Sequence, residues 1–167
     1  MTEKKLLLIV GVVTLILAGG MVALAGKTGP GSVAGAIVPD KNVKVELAST
    51  SHDFGVVKMN DGDIKTTFQI KNSGSNVLKL FGGTTTCACT SAYLELDGKR
   101  SGIFGMHTKS SAVFEVPVGQ TAQLTVTVDP AFHGPSGIGP FEKDALINTN
   151  DPTNPQLTFV TTGEIVQ

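Results

Sequence analysis

The chain has 167 residues, with 13 Lys or Arg against 14 Asp or Glu and a formal net charge of −1. That balance leaves no basic surface for nucleic acid, and 41% hydrophobic with 16% charged residues excludes a disordered chain. Trp is absent, Tyr occurs once and Gly occurs 20 times, a bias that suits short strands joined by tight turns and argues against sugar-stacking platforms.

The first feature in chain order is "LLLIVGVVTLILAGGMVALA", residues 6–25, which carries no charge and follows Lys4 and Lys5. A helix of about 20 apolar residues matches the hydrocarbon thickness of a bilayer. The lysines hold the N-terminus in the cytoplasm, so the remainder is expected on the periplasmic or extracellular side of the inner, cytoplasmic membrane. Ala23 and Ala25 also spell a signal-peptidase site. The run exceeds the roughly 7–15 residues of a signal h-region, however, which favours an uncleaved, single-pass signal-anchor in contact with lipid. Residues 26–42, "GKTGPGSVAGAIVPDKN", are rich in small residues without a period and read as a flexible Gly/Pro tether. The expected organisation is an anchor over 1–25, a linker over 26–42 and a folded domain over 43–167.

Beyond the tether, period-two alternation dominates. In "IKTTFQIK", Ile64, Thr66, Phe68 and Ile70 share one face, opposite Lys65, Thr67, Gln69 and Lys71. "TAQLTVTVD" repeats the pattern, with Ala122, Leu124, Val126 and Val128 inward. "VKVELA", "HDFGVV", "NVLKLF", "AVFEVPV", "DALINT" and "LTFVTTGEIV" are further strand candidates, separated by "MNDGD", "NSGSN", "PVGQ" and "NDPTNP", which carry turn residues. The pattern predicts an all-β, Ig-like antiparallel β-sandwich of about seven to nine strands. Asp53-Phe54-Gly55 predicts a bend at which a strand changes sheets, and Asn150-Asp151-Pro152 an Asx-type reversal before the last strand.

The two cysteines of the chain, Cys87 and Cys89, stand in "TTTCACTS". On an extended segment they project from one face and would hold copper(I), or half of a zinc site. Met106 and His107 would complete a copper-like set, and His133 and His52 are further imidazole candidates. The same pair also suits thiol-redox chemistry, a local bridge or plain packing as small buried side chains. An extended i, i+2 pair would make a disulfide strained and easily reduced. GxSxG, HExxH, P-loop, GxGxxG and CxxCH motifs are absent, and Glu95, Asp97, Asp129, Glu142 and Asp144 are scattered over strands and turns, so no enzyme is expected.

"HDFGVVKMNDGD" (52–63), "FQIKNSGSNVLKL" (68–80), "TTCACTS" (85–91), "VPVGQTAQLTVTVDP" (116–130) and "INTNDPTNPQLTFVTTGEIV" (147–166) follow one another in the order of a family of exported bacterial Ig-like domains. The chain resembles that family, which is related to the Hydin and major-sperm-protein-like sandwiches. The resemblance spans nearly all of residues 50–167. The family's central motif looks like Cys-Gly-Cys-Thr, and Ala88 stands here in place of the glycine. Residues 93–115 and the loop 132–141 depart from the compact pattern as insertions.

The resemblance implies an Ig-like sandwich and no fixed chemistry. The function expected is that of a membrane-anchored, extracytoplasmic accessory or assembly module. It would touch protein subunits of a membrane or envelope complex through residues 93–115 and 132–141, without a cofactor. The alternative is a copper-binding or thiol-redox protein built on Cys87 and Cys89.

Overall fold

The computed structural model describes residues 37–110 and 112–167. The run 6–25, and the anchor, bilayer contact and localisation expected from it, lie outside the described residues, as does most of the tether. Among the described residues, no helix is long and apolar enough to cross a membrane. Asp40 and Asn42, near the end of the stretch read as tether, are tied to the domain: Asp40 N–H donates to the Asn150 carbonyl, and the Asn42 carbonyl accepts from Ser75 N–H.

Eleven strands form among these residues: β1 (Val45–Leu47), β2 (Ser51–Lys58), β3 (Ile64–Asn72), β4 (Leu78–Thr85), β5 (Thr90–Leu96), β6 (Lys99–Arg100), β7 (Phe104–Gly105), β8 (Phe114–Val116), β9 (Thr121–Val128), β10 (Gly139–Thr149) and β11 (Gln156–Val166). One sheet has the order β1-β3-β9-β5-β6, with β7 also pairing β5. The other has the order β2-β11-β10-β4-β8. Every pairing is antiparallel except β2 with β11, which is parallel. The all-β sandwich is therefore as expected from the alternation, with eleven strands rather than about seven to nine.

The excess lies where an insertion was expected. Residues 90–105 supply β5, β6 and β7, and β5 is no appendage: it runs beside β9 from Thr90 opposite Val128 to Glu95 opposite Gln123. Its inward positions are Thr90, Ala92 and Leu94, two of them small or polar, so its apolar period is faint in sequence.

Alternation positions the core. Ala122, Leu124, Val126 and Val128 of β9 are all at most 1% exposed, and Phe68 and Ile70 of β3 face the same layer. From the opposite sheet come Leu78, Leu80, Ile147 and Phe159. The rings of Phe68 and Phe159 meet at 5.0 Å, tilted by 38°, within the range in which aromatic pairs add to plain burial. A second, smaller cluster of Met59, Val128, Phe141 and Ile165, with Phe54 and Ile64 against it, closes one end.

The expected change of sheets at Asp53-Phe54-Gly55 is corrected. β2 stays beside β11 throughout, and the register shifts between Thr162 and Glu164, so Phe54 and Gly55 oppose the single residue Gly163. The bend is a bulge. Gly55 holds φ +66, and a Cβ on Gly163 would lie 2.9 Å from the Gly55 carbonyl and 2.8 Å from the Phe141 ring. Glycine at both positions therefore lets Phe54 turn inward, where its ring lies 6.5 Å from that of Phe141.

The Asx reversal at Asp151 forms as expected. Its Oδ1 accepts from Thr153 N–H at 2.8 Å, the bond that defines the turn. The same carboxylate does more than shape the turn. Oδ2 accepts from the backbone N–H of Val45 at 2.9 Å, and from Asn154 Nδ2 at 2.9 Å. Asp151 is 1% exposed. Burial pushes its carboxyl up, but the hydrogen bonds from Asn154, Thr153 and Val45 outweigh burial and hold it at about 2. This clasp joins strand β1 to the β10–β11 hairpin across the open ends of both sheets.

Asp151→Asn should lower the unfolding free energy near neutral pH by about 2 kcal/mol in urea titrations. Because the folded carboxyl lies below its ordinary value, this stabilisation is complete above pH about 4. It fades as the pH falls towards about 2. The stabilities of wild type and variant should converge across that acid window.

Candidate functional site

β4 belongs to one sheet and β5 to the other, and residues 86–89 carry the chain between them. A switch this short turns several carbonyls away from any strand partner, and buried carbonyls require donors. Threonines supply them. The hydroxyl of Thr85, 4% exposed, lies 3.0 Å from the Cys87 carbonyl and 2.9 Å from that of Thr90. Thr90 N–H closes the turn onto the Cys87 carbonyl at 3.1 Å, and Asp129 N–H donates to the Cys89 carbonyl at 2.9 Å. Thr86 joins Asp144 in both directions, N–H to carbonyl and hydroxyl from N–H, each at 3.0 Å. Both cysteines are therefore fixed between the end of β9 and the middle of β10.

The cysteines do not stand on an extended segment. They occupy the turn, with Cα atoms 5.2 Å apart, and they are joined as a disulfide. The turn shortens the separation that an extended chain would impose, placing it inside the range disulfides prefer. Cys89 is 5% exposed, whereas Cys87 is only partly buried. The Cys89 N–H lies 3.2 Å from the Cys87 Sγ.

The loop from β9 to β10 brings in the third member. Asp129 Oδ1 accepts from Ala131 N–H at 2.8 Å, and Gly134, at φ +55, starts a 3-10 turn over Gly134–Gly137. Ser136 Oγ donates to the His133 carbonyl at 2.7 Å. The Phe132 ring packs edge-on against the His133 imidazole with centroids 5.0 Å apart. Held in this way, His133 Nε2 lies 3.5 Å from Cys87 Sγ. Among the described residues, the ligating atoms of Cys87, Cys89 and His133 all lie within 4.8 Å of one another. A cavity of about 350 Å³ opens beside them, lined by Cys89, Pro130, His133, Ile138, Phe141 and Lys143.

Of the residues singled out in the sequence, Cys87, Cys89 and His133 thus converge. Met106 and His107 do not join them. They line a separate hollow of about 410 Å³ with Ile103 and Thr108, and the turn contributes Ala88 to it rather than a sulfur. His52 lies on β2 and packs edge-on against the Phe54 ring, with centroids 4.7 Å apart. Glu95 is engaged with Arg100, whose guanidinium also lies over the Tyr93 ring at 4.4 Å. The geometry of the loop 129–138, which selects His133 over His107, leaves no signature in residue spacing.

Chemically, the oxidised pair is an electrophile beside an imidazole and a backbone N–H. Reduced, it would offer two thiolates and an imidazole, a set suited to copper(I) or to three of the four positions around zinc.

Fold and site together define an all-β sandwich of two sheets with a cysteine pair at the turn where the chain changes sheets. Residues 45–102 match a family described as "Protein of unknown function (DUF1573)". No curated protein matches the chain in sequence. Its fold is similar to that of a protein of unknown function from Porphyromonas gingivalis W83, with TM-score 0.58 and 23% identity, over 77% of this chain and 50% of that one. This chain therefore spans about half the length of that structure. Looser similarities, with TM-scores of 0.49 and 0.47, link it to the ASH/PapD-like domain 7 of human CEP192 and to the CupB6 tip adhesin from Pseudomonas aeruginosa. The first is 13% identical, over 84% of this chain and 97% of that one; the second is 15% identical, over 77% and 44%.

The bridge links residues two positions apart, and closing so short a loop removes little unfolded-state entropy, about 1.6 kcal/mol. Reduction should therefore leave the sandwich folded and cost no more than about 2 kcal/mol. Urea unfolding followed by circular dichroism, with and without dithiothreitol, measures this directly, and collapse of the β signal on reduction would contradict it.

Proposed function

We propose that this protein is a membrane-anchored, extracytoplasmic Ig-like module that works by contact, as an accessory or assembly subunit of a membrane or envelope complex. The observation that carries this reading is the placement of exposed apolar side chains around the cysteine turn. On one side Ile103 is 67% and Met106 46% exposed; on the other, Phe132 is 52% and Ile138 44% exposed. Ile103 and Met106 share their hollow with Ala88, and Ile138 shares its cavity with Cys89, so both groups flank the 86–89 turn. Large apolar groups clustered at one end of a sandwich, among polar residues, are the usual anchors of a protein interface. They belong to residues 93–115 and 132–141, the two segments that depart from the compact family pattern.

The uncharged run 6–25 supports the membrane anchor, and residues 26–42 would give the domain reach towards its partner.

Extraction of the intact chain in mild detergent should yield a complex larger than the monomer. In that preparation, Ile103→Ser combined with Phe132→Ser should weaken retention of the partner by at least about tenfold, because truncated interface anchors each cost more than about 1 kcal/mol. The melting temperature should stay nearly constant, since both residues are exposed. A lone monomer, or retention untouched by both substitutions, would refute the contact reading.

A further inference from the structure

The two sulfurs at the docking end are not equivalent. Cys87 is partly exposed, and its Sγ has two nitrogen neighbours, Cys89 N–H at 3.2 Å and His133 Nε2 at 3.5 Å. Cys89 is 5% exposed, and its Sγ lies 3.5 Å from the Thr90 hydroxyl. A bridge across two positions is held shut by little loop entropy. Cys87 is thus the less buried residue of the two, and its sulfur lies beside groups that stabilise it as a thiolate. Cys89 stays within reach to re-form the bond. Phe132 packs against the His133 ring and Ile138 lines the cavity that reaches Cys89, and both offer apolar contact to whatever approaches.

We propose that the Cys87–Cys89 disulfide exchanges with a dithiol of a docked protein partner, and that Cys87 is the sulfur attacked. A partner thiolate forms a bond to Cys87 Sγ as the Cys87–Cys89 bond breaks. The electron pair leaves on Cys89, which takes up the proton the partner thiol has lost. The partner's second thiolate then attacks its own sulfur in the mixed disulfide. This forms the partner's disulfide and releases Cys87 as a thiolate between Cys89 N–H and the His133 imidazole, where it takes up the second proton. The partner dithiol is oxidised and the Cys87–Cys89 pair is reduced, a two-electron transfer that runs in reverse when the partner arrives oxidised. His133 is a positioning residue here: it steadies the leaving sulfur. This goes beyond contact, because it gives the docking end a covalent step.

Two measurements on the full-length protein test the proposal. First, the unaltered chain is equilibrated in reduced and oxidised glutathione at ratios that leave structural disulfides of secreted proteins intact, then alkylated and weighed. The pair should open under these conditions, and a bridge that stays closed would overturn the proposal. Second, Cys89→Ala is treated with oxidised glutathione and should capture it on Cys87 at least about tenfold faster than Cys87→Ala captures it on Cys89. Equal rates at the two sulfurs would also overturn it. His133→Gln should slow capture on Cys87 and alter the pH profile of the rate, with the melting temperature unchanged; an unaltered profile removes His133 from the step. A reduced protein that retains copper(I) or zinc and no longer reacts with oxidised glutathione would mark a metal site instead.

Discussion

Phe68 and Phe159 meet between the sheets, and the side chains around them come alternately from β3, β9 and β5 on one side and from β4, β10 and β11 on the other. A shared layer of this kind ties the strands that line it to one register, because a slip by one residue would turn an entire apolar set outward. It also dictates where the chain must cross between sheets. At the crossing from β4 to β5 only four residues, 86–89, are available. The inward-turned carbonyls there are met by Thr85, Thr90 and the Asp129 N–H. The threonine-rich surroundings of the cysteines are thus part of the fold's own solution to changing layers.

The sheets were legible where alternation was strong. β3 and β9 place an apolar side chain at nearly every second position, and both form as the pattern predicts. β5 escaped because its inward positions are Thr90, Ala92 and Leu94, too small and too polar to stand out, although it is paired on both sides, by β9 and by the short β6 and β7. The Asp151 reversal was readable because Asx chemistry is local; its hold on Val45, 106 positions away, was not. The same division runs through the site. Two cysteines one residue apart announce themselves in any sequence. Which histidine approaches them depends on the loop from β9 to β10, and spacing along the chain carries no record of that path.

The two roles assigned to this end of the molecule reinforce one another physically. Apolar side chains on either side of the turn would provide affinity for a partner, and a partner held there would present its own sulfurs to the bridge between them. Contact sets the effective concentration, and the asymmetry of burial sets the order of events. Neither depends on a cleft deep enough to enclose a small substrate, which accords with a sandwich whose cavities lie at its rim.

The parallel pairing of β2 with β11, together with the reach of Asp151 to Val45, has a kinetic corollary. A ribosome delivers β1 and β2 first and β11 last. β1 can pair with β3 early, but until residues 156–166 emerge β2 lacks its neighbour. Most of the local hairpins can form during synthesis, but the pairing of β2 waits for β11. A nascent chain paused before residue 156 would therefore leave the edge of β2 unpaired and open to its surroundings.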